Sequence, residues 1–242
     1  MNAIETVALT KKYKDTMAVD GLDLQVAAGE LFALLGVNGA GKTTAIKMLS
    51  CLTQPTEGDA LLLGKSICRD TSAVKSMIAV SPQETAVAPG LTVEENLKLM
   101  CSLYGFTKEK RKEKLAELTQ LFGLDAVLRK KAAHLSGGWQ RRLSIAMALI
   151  SEPRILFLDE PTLGLDVLAR SDLWELIRNL KGKVTITLTT HYMEEAEALA
   201  DRIGIMKDGK LLLCGTSEEI KQAAGTDNFE QAFVRIVKGV KA

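Results

Sequence analysis

Apolar and polar positions alternate over Ile4–Leu9 and Leu22–Val26, and Asp20-Gly21 and Ala28-Gly29 punctuate them, so both stretches read as half-buried strands. Leu31–Leu35 is instead an unbroken apolar run ending at a glycine, the pattern of a buried parallel strand. A helix is expected from about Lys42, and Ala60–Leu63 and Met77–Val80 read as further strands. The period then changes. Thr92-Val93-Glu94-Glu95 is a capping box, and Leu97, Met100, Leu103 and Tyr104 follow at helical spacing. Lys108–Lys114 is a mixed-charge run, read as the solvated face of a second amphipathic helix carrying Leu115, Leu118, Leu121 and Phe122. Beyond it come a strand (Ile155–Leu158), a helix (Val167–Leu180), a strand (Val184–Thr189), a helix (Tyr192–Ala200) and two short amphipathic helices within Ser217–Lys241. Strands alternating with helices predict an α/β fold with a mostly parallel sheet covered on both faces. Residues 84–150 form a helical insert in it, and 216–242 a short helical tail.

Composition narrows this little but usefully. The 242 residues fit one domain with an insertion, and 47% apolar with 25% charged residues is ordinary for a packed protein. Lysine plus arginine number 31 against 30 acidic residues, which argues against a basic face held to nucleic acid. No apolar run approaches the eighteen or so residues of a membrane span. The amino terminus has neither a basic flank nor an apolar core, so a secretory signal is not expected. Cys51, Cys68, Cys101 and Cys214 are scattered without C-x-x-C spacing and read as reduced, mostly buried thiols of a cytoplasmic protein. Two histidines and no metal-spaced cluster make a structural zinc site unexpected.

The first chemical signal is Gly36-Val37-Asn38-Gly39-Ala40-Gly41-Lys42-Thr43-Thr44, a G-x-x-x-x-G-K-[ST] pattern between a strand and a helix. Glycines let successive backbone N–H groups turn inward around an anion, and the new helix adds its positive end. Lys42 supplies a point charge for outer phosphates, and the Thr43 hydroxyl suits Mg²⁺. The second signal is Ile155-Leu156-Phe157-Leu158-Asp159-Glu160, a buried strand delivering two carboxylates to its carboxyl end. Asp159 is expected at a Mg²⁺ hydration shell. Glu160, expected on the opposite side of the strand, is placed to polarise a water for attack on a γ-phosphate.

Two further features are not explained by one phosphate loop. Leu135-Ser136-Gly137-Gly138 precedes an almost wholly apolar helical stretch, Leu143–Ile150, with Ser136 a good cap residue. Since one nucleotide has one triphosphate, a second anion reader suggests service to another chain's nucleotide. His191 lies just after the strand Val184–Thr189, where an imidazole can reach a γ-phosphate or the attacking water. His134 reads as an exposed loop residue, and Tyr13 and Gln83 say little alone.

Taken in order, these pieces resemble the nucleotide-binding subunit of ATP-binding cassette (ABC) transporters, over nearly the whole chain from Tyr13 to about Gly215. The matching residues are Gly36–Thr44 (Walker A), Gln83 (Q-loop), Leu135–Gln140 (cassette motif), Ile155–Glu160 (Walker B), Gly164-Leu165-Asp166 (D-loop) and His191 (switch). Arg141–Ala146 and Thr190–Glu197 look most like the branch driving drug, sodium, bacteriocin or polysaccharide exporters. The resemblance implies a P-loop core with an antiparallel amino-terminal strand group and an inserted helical subdomain. It implies ATP and Mg²⁺ as ligands: Tyr13 stacks on adenine, Gly36–Thr44 hold phosphates, and Thr43, Gln83 and Asp159 serve Mg²⁺. Glu160 then serves the attacking water and His191 the γ-phosphate. Ser136, Gly137 and Gly138 reach the partner's ATP in a head-to-tail homodimer or heterodimer, and Asp166 joins the two sites.

The resemblance further implies polytopic permease subunits, a groove for their coupling helix between Gln83 and about Leu103, and a peripheral place on the inner face of the cell membrane. The rival readings are a soluble cassette ATPase for DNA repair or ribosome work and a non-catalytic, nucleotide-gated module. Four positions depart from the family pattern: Trp139 where glutamine is frequent, Met147 for arginine, and Leu163 and Val167 for serine and proline.

Overall fold

The computed structural model describes residues 1–239, so the last three residues of the tail lie outside it. Among the described residues two sheets form. The first is antiparallel. Its long strand β1 (Asn2–Tyr13) pairs on one side with β2 (Thr16–Leu22) and β3 (Gln25–Ala27), and on the other with β5 (Glu57–Leu62), which holds β6 (Lys65–Ser66). The second has six strands in the order β11 (Lys210–Gly215), β10 (Arg202–Lys207), β4 (Leu31–Gly36), β9 (Thr185–Thr190), β8 (Ile155–Asp159), β7 (Ile78–Ser81). All its pairings are parallel except β10 with β11.

This second sheet is a wall between two cores, which explains its unbroken apolar runs. On β4, Leu31, Ala33 and Leu35 face one core while Phe32 and Leu34 face the other. On β8, Leu156 and Leu158 join the first, Ile155 and Phe157 the second. A strand buried on both sides has no polar alternation to show. The core between the sheets takes in helix α1 (Lys42–Leu49). The outer core takes in α3 (Val93–Leu103), α4 (Lys108–Phe122), α5 (Gly137–Leu149), α6 (Val167–Arg178), α7 (Met193–Leu199), α8 (Ser217–Ala223) and α9 (Phe229–Lys238). The capping box at Thr92 is formed, the Thr92 hydroxyl accepting from the Glu95 N–H at 3.2 Å and the Glu95 carboxylate accepting from the Thr92 N–H at 2.8 Å.

Several boundaries differ from the sequence expectation, each for a visible reason. The strand expected over Leu22–Val26 is divided at Asp23-Leu24: the Asp23 carboxylate accepts from the Ala8 N–H, and the Thr6 hydroxyl bridges Leu22 O and Leu24 N. The chain there passes from one half of β1 to the other. Met77 closes a short helix, α2 (Thr71–Met77), so its strand starts one residue later; that helix buries only Val74 and shows no apolar stripe. The β10–β11 hairpin was not read, although Asp208-Gly209, both at positive φ, is the dipeptide that such a two-residue turn favours. The charge run on α4 is solvated except for Lys114, which is buried and paired with Glu117 at 2.9 Å and Glu152 at 3.3 Å. The four cysteines are free, but only Cys101 is buried and Cys68 is exposed, because β6 and its following turn lie at a sheet edge.

Candidate nucleotide site

Four neighbouring strands of the six-stranded sheet deliver polar residues at their carboxyl ends, where open α/β sheets place ligands. β4 runs into the glycine loop, β9 leads to His191, β8 ends at Asp159 and Glu160, and β7 leads to Gln83. The loop needs its glycines. A side chain at Gly36 would meet the Met206 carbonyl, and Gly41, at φ 100°, would drive one into the Ala18 carbonyl. A cavity of about 480 Å³ opens here, lined by Asn38 to Thr44, Gln83, Glu160 and His191 together with Thr16, Met17, Ala18 and Leu163.

The charged groups in it are interlocked. Lys42 Nζ donates to Gly36 O at 2.7 Å and Val37 O at 3.2 Å and lies 3.3 Å from Glu160 Oε1. The other oxygen of Glu160 lies 2.7 Å from His191 Nδ1. Asp159 Oδ1 accepts from the Thr43 hydroxyl at 3.1 Å and from the Thr189 hydroxyl at 2.5 Å. Lys42, Asp159 and Glu160 are all buried. Strand alternation does not send Glu160 to the far side as expected. β8 stops at Asp159, and Glu160 at φ 49° bends the chain so that both carboxylates reach consecutive residues of α1. The Glu160 N–H, donating to Thr189 O and Oγ1, holds that bend.

The donor set suits a small hard cation: the Thr43 hydroxyl, the Asp159 carboxylate and the Gln83 amide are all oxygen ligands of the kind Mg²⁺ takes alongside phosphates. Among the described residues no group of three or more His, Cys, Asp or Glu is arranged to hold a metal by itself.

Other expected residues lie elsewhere. Tyr13 does not line the cavity; at the end of β1 it is half exposed, with Lys11 Nζ 5.0 Å from its ring centre. Ser136 occupies the N-cap position of α5, but its hydroxyl makes no capping bond, contrary to the expectation of a good cap. Gly137 and Gly138 lie against the turn before α6: added side chains would approach Leu165 at 3.6 Å and Ala169 at 3.0 Å. None of the three lines the cavity of its own chain. Asp166 caps α6, accepting from Leu168 N at 3.0 Å and Ala169 N at 2.9 Å. His134 is exposed.

At the departures, Trp139 stacks under Arg142 at 4.7 Å, while Gln140 turns inward to the carbonyls of Ala132 and Leu135. Met147 is buried in the core. Leu163 lines the cavity and Val167 is exposed. Sequence reasoning missed Thr189 and Arg141. The only sign of Thr189 is a polar residue in a fully buried strand, and Arg141 looks like surface charge.

Comparison with known proteins agrees with this geometry. The family model described as "ABC transporter" matches residues 19–163. The chain is 42% identical over 226 residues to the daunorubicin/doxorubicin resistance ATP-binding protein DrrA of Streptomyces peucetius, covering 93% of this chain and 68% of that one. It is 39% identical over 240 residues to a longer protein of Escherichia coli (strain K12) named "Probable multidrug ABC transporter ATP-binding protein YbhF", covering 97% of this chain and 41% of that one. The solved ATP-binding subunit of an ABC transporter superposes with a TM-score of 0.85 at 30% identity, over 97% of this chain and 99% of the other. The ATP-binding cassette MJ0796, solved as a dimer in a post-hydrolysis state with ADP and Pi, gives 0.78 at 28% identity, over 88% and 98%.

Proposed function

This chain belongs to the ABC transporter family, and from that premise we propose that it is the Mg²⁺-dependent ATPase subunit of a membrane exporter, acting as a homodimer. The observation that carries the catalytic part is the cavity in which Glu160 touches both Lys42 and His191, while Thr43 of its lining touches the buried Asp159. The loop N–H groups and Lys42 hold the ATP phosphates, with Lys42 passing from Glu160 to the γ-phosphate as they enter. Thr43, Asp159 and Gln83 hold Mg²⁺, which when bound neutralises phosphate charge. Glu160 accepts a proton from water as the water oxygen bonds to the γ-phosphorus and the bond to the ADP oxygen breaks. His191, paired through Nδ1 with Glu160, serves the γ-phosphate with its other ring nitrogen.

Ser136 and Gly137 are exposed and with Gly138 complete the site of the second copy, with Asp166 beside them; the dimeric cassette MJ0796 supports a dimer. The drug-resistance relatives support the direction of transport. Among the described residues no helix is long and apolar enough to cross a membrane. The transporter relatives support a transport path in polytopic permease subunits, which hold this chain at the inner face of the cell membrane. The test is to pull down tagged protein from its native membranes in mild detergent. A polytopic membrane protein in near-equal amount is expected. Recovery with ribosomes, with DNA or alone would refute the transporter role.

A further inference from the structure

We propose that Arg141 is a positioning residue that sets the Gln83 loop and ties its place in the cavity to helix α5; this rests on reading the cavity as the nucleotide site. Arg141 lies one turn into α5, just past the outward-facing glycine motif, and is 4% exposed. Its two terminal nitrogens donate to the carbonyls of Pro82, at 2.6 Å, and Gln83, at 2.5 Å. The neighbouring Arg142 does what surface arginines do and pairs with Asp172 at 2.7 Å. Arg141 turns inward and gives both ends of its fork to consecutive backbone carbonyls. Burial pulls its pKa down, partly offset by the Asp159 and Glu195 carboxylates farther off. A buried cation is an unfavourable way to fill a core, and its fork geometry fits two carbonyls where a lysine reaches one.

The contacts on either side continue the same seam. The Ser144 hydroxyl on α5 meets the Ser81 hydroxyl at the end of β7, at 3.1 Å, and the Gln140 amide oxygen accepts from the Thr85 hydroxyl at 3.4 Å. Three residues of α5 thus grip 81 to 85, the segment that carries Gln83 into the cavity. A movement of α5, whose first turn is the glycine motif, therefore moves the carbonyl of Gln83 with it. Among these three contacts Arg141 is the one that holds the backbone of Gln83 itself.

Hydrogen exchange on the full chain, without nucleotide, tests the link. Arg141→Met is expected to speed exchange at 83–86 by about tenfold or more while leaving 36–44 unchanged, the loss of two charge-assisted bonds. Arg141→Lys, which keeps the cation, should fall between. In ATP turnover, Arg141→Met should raise the Mg²⁺ concentration needed for half-maximal rate. Adding it to Gln83→Ala should lower the rate no further, because both act through Gln83. Unchanged exchange at 83–86, or losses that add in the double variant, would overturn the proposal. Failure of the nucleotide reading shows separately: Glu160→Gln would then leave turnover intact, while the exchange result would stand or fall on its own.

Discussion

The chain carries two glycine loops that each open a helix, and the ends of neighbouring strands converge on one of them. At Gly36–Thr44 the helix end is met by the ends of β7, β8 and β9, which bring Gln83, Asp159, Glu160 and His191 around it. At Leu135–Gly138 only Leu165 and Ala169 lie against the two glycines; Ser136 and Gly137 are exposed and the Ser136 hydroxyl caps nothing. Both loops offer N–H groups and a helix dipole, so those cannot be what makes a site. Convergence makes the first one. The second has the form of half a site, and its proposed complement is a copy of the chain.

The comparison can be broken at several points. Glu160→Gln keeps the shape but removes the base and one of its two acceptor oxygens, and should cut phosphate release by about 10²–10⁴-fold while ATP still binds. Normal release would remove Glu160 from its role. Lys42→Ala removes the charge from the closed loop, and a titration should show ATP binding weakened by about 1.5–3 kcal/mol, roughly ten- to a hundredfold; unchanged affinity would count against the cradle.

Glu195, fully buried on α7 with the Trp174 indole N–H on its carboxylate, tests the support of the closed site. Burial pushes its carboxyl pKa up, opposed by the nearby Thr190 and Thr162 hydroxyls and by the Trp174 indole N–H, which donates to it at 3.2 Å, and reinforced by Glu160. With the folded value raised, its stabilising contribution is full below the ordinary glutamate range and is lost as pH rises through the raised value. Glu195→Gln cannot titrate, so its thermal stability relative to the parent should improve as pH increases. A difference that stays flat with pH contradicts this. The smallest effect concerns the open loop. Ser136→Ala should change stability by less than about 0.5 kcal/mol, where loss of a working cap typically costs about 1, yet turnover should drop. A clear fall in melting temperature would mean that the serine serves its own helix.

Local chemistry made much of this legible. The capping box at Thr92, the apolar runs of β4 and β8 and the glycine spacing of Gly36–Thr44 are determined within a few residues, and the structure forms each of them. What escaped depends on residues far apart in the chain. The direction of Glu160 follows from a positive φ held by Thr189, 29 residues away. Arg141 reads as one more charge beside Arg142 until the carbonyls of Pro82 and Gln83 are in place. The break at Asp23 needs Ala8 to be visible. The hairpin at Asp208-Gly209 is a different case, since its turn dipeptide was there to be read.

The central claim is that the open loop completes the closed site of a second copy around ATP. Its most direct test is the solution mass of the Glu160→Gln chain by light scattering as Mg²⁺ and ATP are added. The account predicts a shift from the 26.2 kDa monomer to twice that mass, with two ATP bound per dimer, and its loss when Ser136→Ala is added. A chain that binds ATP to saturation and remains at 26.2 kDa would contradict it.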